Sequence, residues 1–175
     1  MRKPSNLRVT IRPPRPADRQ AFLAAVLRSR SLHHPWVSAP ATPKTFAAYL
    51  KRLSSESHRG FLVIHRGAGE LVGVININNI IRGALQGGFL GYYGFEPHSG
   101  AGLMREGMLL VLDHAFRKLK LHRLEANIQP ENRPSIALVR KCGFKREGFS
   151  RRYLKVCGRW RDHERWAILA EDFGK

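Results

Sequence analysis

Residues 97–107 read PHSGAGLMREG, with glycines at 100, 102 and 107 and an alanine at 101. Small residues at the opening of a helix let a phosphorylated ligand approach bare backbone. The N–H groups there lack intrahelical partners, and the helix dipole adds roughly half a positive charge. A nucleoside-triphosphate loop would need GxxxxGK followed by Ser or Thr, and the chain has no such run. A dinucleotide fingerprint comes nearer, because Gly100-Ala101-Gly102-Leu103-Met104 supplies GxGxx and Glu125 follows about twenty residues on. Arg105, however, stands where the third glycine belongs, and Glu125 falls inside its strand. The remaining ligand reading is a diphosphate held by the N–H groups of Gly100, Ala101, Gly102, Leu103 and Met104, with no lysine. A glycine-rich turn without a ligand is the bland alternative.

Other reactive side chains are fewer. Asn132 and Ser135 open a later helix, where Asn is a natural cap and Ser an ordinary first-turn residue. The eight histidines show no metal-ligand spacing, and adjacent His33 and His34 would point different ways on any regular element, so no metal is expected. Arg161-Asp162-His163 resembles a catalytic fragment only superficially. On an alternating strand its neighbours face opposite sides, and a sheet salt bridge is the expected role. Asp113 belongs on a solvated helix face, while Glu106 and Glu125 stay open. Two cysteines make no disulfide framework, and Cys142 follows an apolar helical pattern as a buried thiol would.

These residues need elements to hold them. Leu7-Arg8-Val9-Thr10-Ile11 alternates like a strand and is ended by prolines. AFLAAVLRSRSL is a short amphipathic helix, and Thr42-Pro43 is a helix start leading into FAAYLKRL. GFLVIHR and LVGVININNII, joined by GAGE, form a hairpin, and FLGYYGF adds a third antiparallel strand. After the glycine motif, apolar residues from Met104 to Leu119 recur near the 3.6 period, and HRLEANI follows as a strand. FLGYYGF, the helix and HRLEANI therefore make a β-α-β unit with parallel strands. ENRPSIALVRK is a helix stopped at Gly143, and two strands around 145–156 and 160–170 close the chain. The class is mixed α/β, with one mostly antiparallel sheet containing one parallel step.

At 175 residues, 43% hydrophobic and 25% charged, the chain suits a single domain over 1–175 with its own core. Lys and Arg number 31 against 13 Asp and Glu, a net charge of +18. The excess gathers in residues 1–30, from Arg2 and Lys3 to Arg30, and in residues 140–165. Such a field attracts polyanions and repels cationic small molecules. MRKPSNLRVTIRP lacks the apolar stretch of a signal peptide, and no apolar run nears the roughly 20 residues that span a bilayer. A cytoplasmic protein without membrane contact is expected.

The strand, Gly-x-Gly loop and amphipathic helix resemble the acetyl-CoA motif of the GNAT N-acetyltransferases. GVININNIIRG, LGYYGF, GAGLMREG, LHRLEANIQPENRPS, LVRKCGFKREGF and GRWRDH resemble more narrowly the RimJ/RimL-type ribosomal-protein alanine N-acetyltransferases, the RimJ branch above all. The resemblance implies the GNAT fold, in which the central parallel strands splay to admit the pantetheine arm between flanking helices. It implies that Ser99 and Gly100 to Met104 hold the coenzyme diphosphate, and that the backbone of Phe95 and Glu96 pairs with pantetheine and polarises the thioester. Asn132 and Ser135 match the Asn-x-x-Ser pair facing the coenzyme, with Ser135 protonating the leaving thiolate. Trp36 matches a Pro-Trp on the acceptor side. The chain departs from the pattern at Pro97, where Gln or Arg is usual, and at Ser99-Gly100-Ala101-Gly102, where RimJ-type loops read Gln-Gly-Lys-Gly. Leu154 stands where RimL-type proteins carry a glutamate proposed as the base, so no base is carried over.

Acetyl transfer needs a neutral amine, an oxyanion donor and a proton for the departing sulfur. At pH 7 roughly 15% of a peptide α-amine is neutral but only about 0.04% of a lysine amine, a difference of about 3.5 kcal/mol. A site without a strong base therefore suits a protein N-terminus, with water relayed by backbone carbonyls or by Tyr92. The expected activity is acetyl transfer from acetyl-CoA to a protein α-amine by direct attack in a ternary complex. A ribosomal protein is the expected acceptor, approached through electrostatic contact with rRNA. A small-molecule amine acetyltransferase of antibiotic type and a non-catalytic ribosome- or nucleic-acid-binding module are the competing readings.

Overall fold

Seven strands form one sheet in the computed structural model, which describes residues 7–174. The strands are β1 (Val9–Arg12), β2 (Arg59–His65), β3 (Leu71–Ile81), β4 (Gly87–Gly94), β5 (Arg123–Ile128), β6 (Lys145–Val156) and β7 (Arg159–Leu169). Their spatial order is β1-β2-β3-β4-β5-β7-β6, and every neighbouring pair is antiparallel except β4–β5. This is the mixed α/β sheet expected from the sequence. Arg2, Lys3 and the extreme ends of the expected 1–175 domain lie outside the described residues. Among the described residues no helix is long and apolar enough to cross a membrane.

Local chemistry explains the elements around the sheet. Helix α3 (Pro43–Leu53) starts where Thr45 N donates to Thr42 Oγ1 and Thr42 N donates to Thr45 Oγ1, a reciprocal cap followed by Pro43. The single helix expected over AFLAAVLRSRSL is two, α1 (Arg19–Arg28) and α2 (Arg30–His33). Ser29 causes the break. Its hydroxyl donates to Ala25 O and accepts from Glu96 N, tying the chain to the end of β4. Helix α4 (Leu103–Asp113) loosens into a π turn over His114–Lys118, and α5 (Arg133–Lys141) stops before Gly143 at φ +91°. The β6–β7 hairpin turns on Cys157 and Gly158, both at positive φ as a two-residue primed turn requires.

The sheet is covered on both faces. Met108, Val111 and Leu112 of α4 pack with Val63 and Ile75 on one side, while Phe22, Phe46, Leu62 and Phe95 pack under α1 and α3 on the other. Each such side chain contributes about 1.5–3 kcal/mol on burial, against about 0–1 kcal/mol for an exposed ion pair. The apolar layers therefore hold the helices in place. Cys142 lies in the first layer, where burial pushes its thiol up to about 11.

One pairing stops early. Strands β4 and β5 are in register only from Gly87↔Arg123 to Leu90↔Ala126. Beyond that, β4 stays on β3 through Gly94, and β5 stays on β7 through Ile128. The two central strands therefore part and leave a fork.

Candidate active site in the fork of the sheet

The fork opens into a cavity of about 490 Å³. One wall carries the glycine loop, a second carries Tyr92 and α5, and a third carries His33, Trp36, Val37 and His163. The backbone that reaches it follows from one hydrogen bond. Phe95 N donates to Val72 O at 2.7 Å, and in an antiparallel pair alternate residues direct their groups at the partner strand. Gly91 and Tyr93 therefore face β3, while Tyr92 and Gly94 turn their backbone groups into the fork. This corrects the expectation for Phe95 and Glu96. The Phe95 ring is fully buried under α1 and α3, and its amide is held by Val72. Glu96 N is held by Ser29, and the Glu96 carboxylate accepts from Ser99 Oγ at 2.7 Å. The free amides at the strand end belong to Tyr92 and Gly94.

The glycine loop matches the chemistry of a diphosphate seat. Gly100 and Gly102 lie at φ +75° and +77°, and Gly102 caps α4. The first helical bonds are those of Arg105 N and Glu106 N to Gly102 O. Among the described residues the N–H groups of Gly100, Ala101, Gly102, Leu103 and Met104 meet no acceptor. A Cβ on Gly100 would meet nothing within 4 Å, so that side of the loop is open. Ser99, Gly100, Gly102 and Met104 line the cavity, whereas Leu103 packs into the core. Arg8 braces the loop from behind, donating to Ala101 O at 3.0 Å and to Glu106 Oε1 at 2.8 Å. Glu106 is thus an ion-pair partner, and Arg8 is a supporting residue that neither spacing nor motif marks out. Arg105 and Lys141 stand at the cavity wall and supply positive charge in place of a loop lysine.

Across the fork, Tyr92 Oη and Ser135 Oγ lie 2.6 Å apart, with either able to donate. Asn132 Oδ1 accepts from Ser135 N at 3.2 Å, so Asn132 caps α5 and fixes the turn that presents Ser135. Burial raises the Tyr92 pKa against the lowering effect of the Ser135 bond, and the phenol stays protonated at neutral pH. Tyr92 packs on the α4–α5 side of the sheet, and it and Trp36 both line the cavity.

The third wall holds two buried histidines. His33 Nε2 lies 2.9 Å from Gly94 O and His163 Nδ1 lies 2.9 Å from Arg161 O. A carbonyl only accepts, so His33 carries its proton on Nε2 and His163 on Nδ1. Burial lowers both pKa values, outweighing the opposing pull of those carbonyls. The sheet salt bridge expected of Arg161-Asp162-His163 is not formed among the described residues. Asp162 instead accepts from Arg152 N at 2.7 Å, because the backbone at Arg152 turns to positive φ beside it. Asp113 pairs with Arg117 on the helix surface and Glu125 with Arg123. No Asp or Glu lines the cavity among the described residues. Strand alternation was the available signal for His163, since it sets that residue on the face opposite the buried Trp166 and Ile168.

A sheet forked at its central parallel pair, an N–H-lined loop on one side and a hydroxyl pair on the other define an acyltransferase that draws on a diphosphate-bearing thioester. The family profile described as an acetyltransferase (GNAT) domain matches residues 8–145, and the chain belongs to the GNAT acetyltransferase family. It is an N-acetyltransferase with acetyl-CoA as cosubstrate. It is 40% identical over 129 residues to the probable N-acetyltransferase YjcK of Bacillus subtilis, covering 74% of this chain and 71% of the relative. It is 36% identical over 104 residues to the ribosomal protein uS5-alanine N-acetyltransferase of Escherichia coli, covering 59% of this chain and about half, 54%, of that enzyme. Mycobacterium smegmatis RimJ, solved in complex with CoA-disulfide, superposes with a TM-score of 0.87 at 32% identity, over 95% of this chain and 84% of that one. A Vibrio cholerae spermidine N-acetyltransferase, solved with CoA and spermine, shares the fold at 23% identity with a TM-score of 0.81, over 95% and 98% of the two chains.

Proposed function

We propose that this acetyltransferase modifies the α-amine of a protein N-terminus, with a ribosomal protein as the acceptor and residues 1–175 working as one domain in the cytoplasm. The observation that carries this reading is the absence of any carboxylate among the described residues lining the cavity. A polyamine or aminoglycoside brings several ammonium groups and needs acidic partners, whereas a peptide end brings a single charge of lower pKa. Similarity to the uS5-alanine enzyme and to RimJ supports the same acceptor class.

In this reading the loop from Ser99 to Met104 holds the coenzyme diphosphate, and the Tyr92 and Gly94 amides meet the pantetheine and thioester. Asn132 presents Ser135, which protonates the departing sulfur, and Trp36 borders the acceptor. The exposed β6–β7 hairpin adds Arg146, Arg151, Arg152, Lys155 and Arg159 beside a largely exposed Trp160, a surface suited to rRNA near the acceptor.

A thiol-release assay with acetyl-CoA tests the proposal against a peptide with free N-terminal alanine, its Nα-acetylated lysine-containing counterpart, spermidine and an aminoglycoside. Turnover is expected on the free α-amine. Higher kcat/KM on spermidine or the aminoglycoside would overturn the assignment.

A further inference from the structure

His163 has the form of a base rather than of a structural histidine. It is 3% exposed, lines the cavity and donates through Nδ1–H to Arg161 O. With the proton fixed on Nδ1, Nε2 holds a lone pair, and no protein donor meets it among the described residues. Asn127 Oδ1, on the adjacent strand, is likewise buried without a partner and lines the same cavity. Asn127 sits opposite Arg165, two residues from His163 on the same face of β7, so both acceptors serve one side of the sheet. Ser135 and Tyr92 occupy the other side, toward α4 and α5.

We infer that His163 is the general base of acetyl transfer, with Nε2 removing the proton that the acceptor ammonium must lose before attack. The freed nitrogen lone pair forms the C–N bond to the acetyl carbon as the C–S bond breaks. The sulfur leaves with its electron pair and takes the proton of Ser135 Oγ. The acylated nitrogen sheds its second proton to restore the Ser135–Tyr92 pair, and His163 releases the first to solvent. One amide, one thiol and one proton result. Asn127 Oδ1 accepts from the ammonium and positions it.

The groups around the ring fit this role. Tyr153 of β6 packs edge-on at 6.2 Å, Glu131 follows β5, and Asp162 precedes the ring on β7 with its carboxylate held by Arg152 N. His33 lies on the same cavity wall, and burial leaves both rings neutral near pH 7. A neutral imidazole is far better matched to an α-ammonium near 7.7–8.0 than to a lysine-type ammonium near 10.4, about 2.5 pH units further away. The inference rests on acetyl transfer itself and not on which amine is the acceptor.

Two measurements on the full chain test it. Long-range ¹⁵N–¹H spectra, with the His163 signal assigned by its loss in His163→Gln, should show the Nδ1–H tautomer at pH 7.5 and a titration midpoint below 6.5. An Nε2–H tautomer or a midpoint above 7 overturns the proposal. In kinetics, with whichever amine of the above panel is turned over, His163→Gln should lower kcat/KM about 10²–10⁴-fold at pH 7. The KM for acetyl-CoA should stay within threefold. Wild-type kcat/KM should be flat from pH 7 to the amine pKa, whereas the variant should rise about tenfold per pH unit as the free amine replaces the lost base. A variant with wild-type rate and profile overturns the assignment. Failure of every amine would sink the acceptor reading above, and the tautomer and midpoint would still decide on the ring.

Discussion

Tyr92 Oη and Ser135 Oγ meet at 2.6 Å across the fork, joining β4 to the first turn of α5 although 43 residues separate them. In the proposed mechanism the pair supplies a proton at one point and a route to replace it. Ser135→Ala removes the donor while leaving the glycine loop and the β4 amides untouched. Its kcat should fall about 10²–10⁴-fold, with the Kd for CoA within a factor of three by calorimetry. Tyr92→Phe keeps the donor and removes only the relay, so its loss should be smaller and its stability cost about 1 kcal/mol. Equal losses in the two variants would mean that the tyrosine, not the serine, delivers the proton.

The proposed diphosphate seat depends on two left-handed residues, Gly100 and Gly102. At Gly102, φ +77° makes any side chain cost about 1–2 kcal/mol of backbone strain, and the Cβ would stand 3.7 Å from Arg8 Nη2. Gly102→Ala should raise the CoA Kd about tenfold, and Gly102→Glu more than a hundredfold, because a carboxylate then competes with the diphosphate for the same N–H groups. Unchanged CoA affinity in Gly102→Glu would show that the phosphates lie elsewhere.

Much of this architecture was legible because its causes are local. Thr42-Pro43 announces a cap, alternation marks β2 to β4, and a helix between two strands forces their parallel pairing. The misreadings share a different cause, which is a partner distant in sequence. Ser29 breaks the first helix because Glu96 N, 67 residues away, takes its hydroxyl. The fork-facing amides belong to Tyr92 and Gly94 because Phe95 N bonds Val72 O, and a one-residue phase leaves no trace in composition. His33 and His163 are set aside on their sequence neighbours alone, since what distinguishes each ring is the carbonyl that fixes its proton and the cavity it borders.

Acid should destabilise the fold in two separate windows. His33, His114 and His163 all have folded pKa values below the ordinary 6.5, chiefly through burial. The unfolded chain therefore binds their protons first, and the stability they contribute is full above about pH 6.5 and lost as the pH falls below it. Asp18, bonded to Arg12, and Glu147, bonded to Arg123, are depressed below 3.8 and 4.5. Their contribution persists until the pH falls through those lower folded values. Calorimetry should show Tm dropping between pH 7.5 and 5.5 and again below pH 4.5. Added salt should recover little of the first drop if burial is its cause, because salt screens surface repulsion but not desolvation. A Tm that is flat from pH 7.5 to 5.5 would refute the histidine account.

Helix α4 carries the loop on its N-terminus, so its distance from the sheet bears on coenzyme binding as well as on stability. That distance is set at Gly107, where an added Cβ would lie 2.7 and 2.8 Å from the two methyl groups of fully buried Val63. Two effects oppose each other in Gly107→Ala. Helix propensity favours alanine by about 1 kcal/mol, while overpacking a filled core costs about 1–3 kcal/mol. Val63 is β-branched and stiff at χ1, so it cannot swing aside and the clash should win. Gly107→Ala should therefore lower the unfolding midpoint in urea and weaken CoA binding, as α4 lifts away and carries Leu103 and Met104 with it. In a Val63→Ala background the same change fills the space just vacated, and its effect on stability should reverse sign. Urea melts of the four proteins in this cycle measure the coupling, expected above about 1 kcal/mol for residues in direct contact. Additive effects would mean that the helix is positioned by Met108 and Leu112 and that Gly107 only tolerates the sheet.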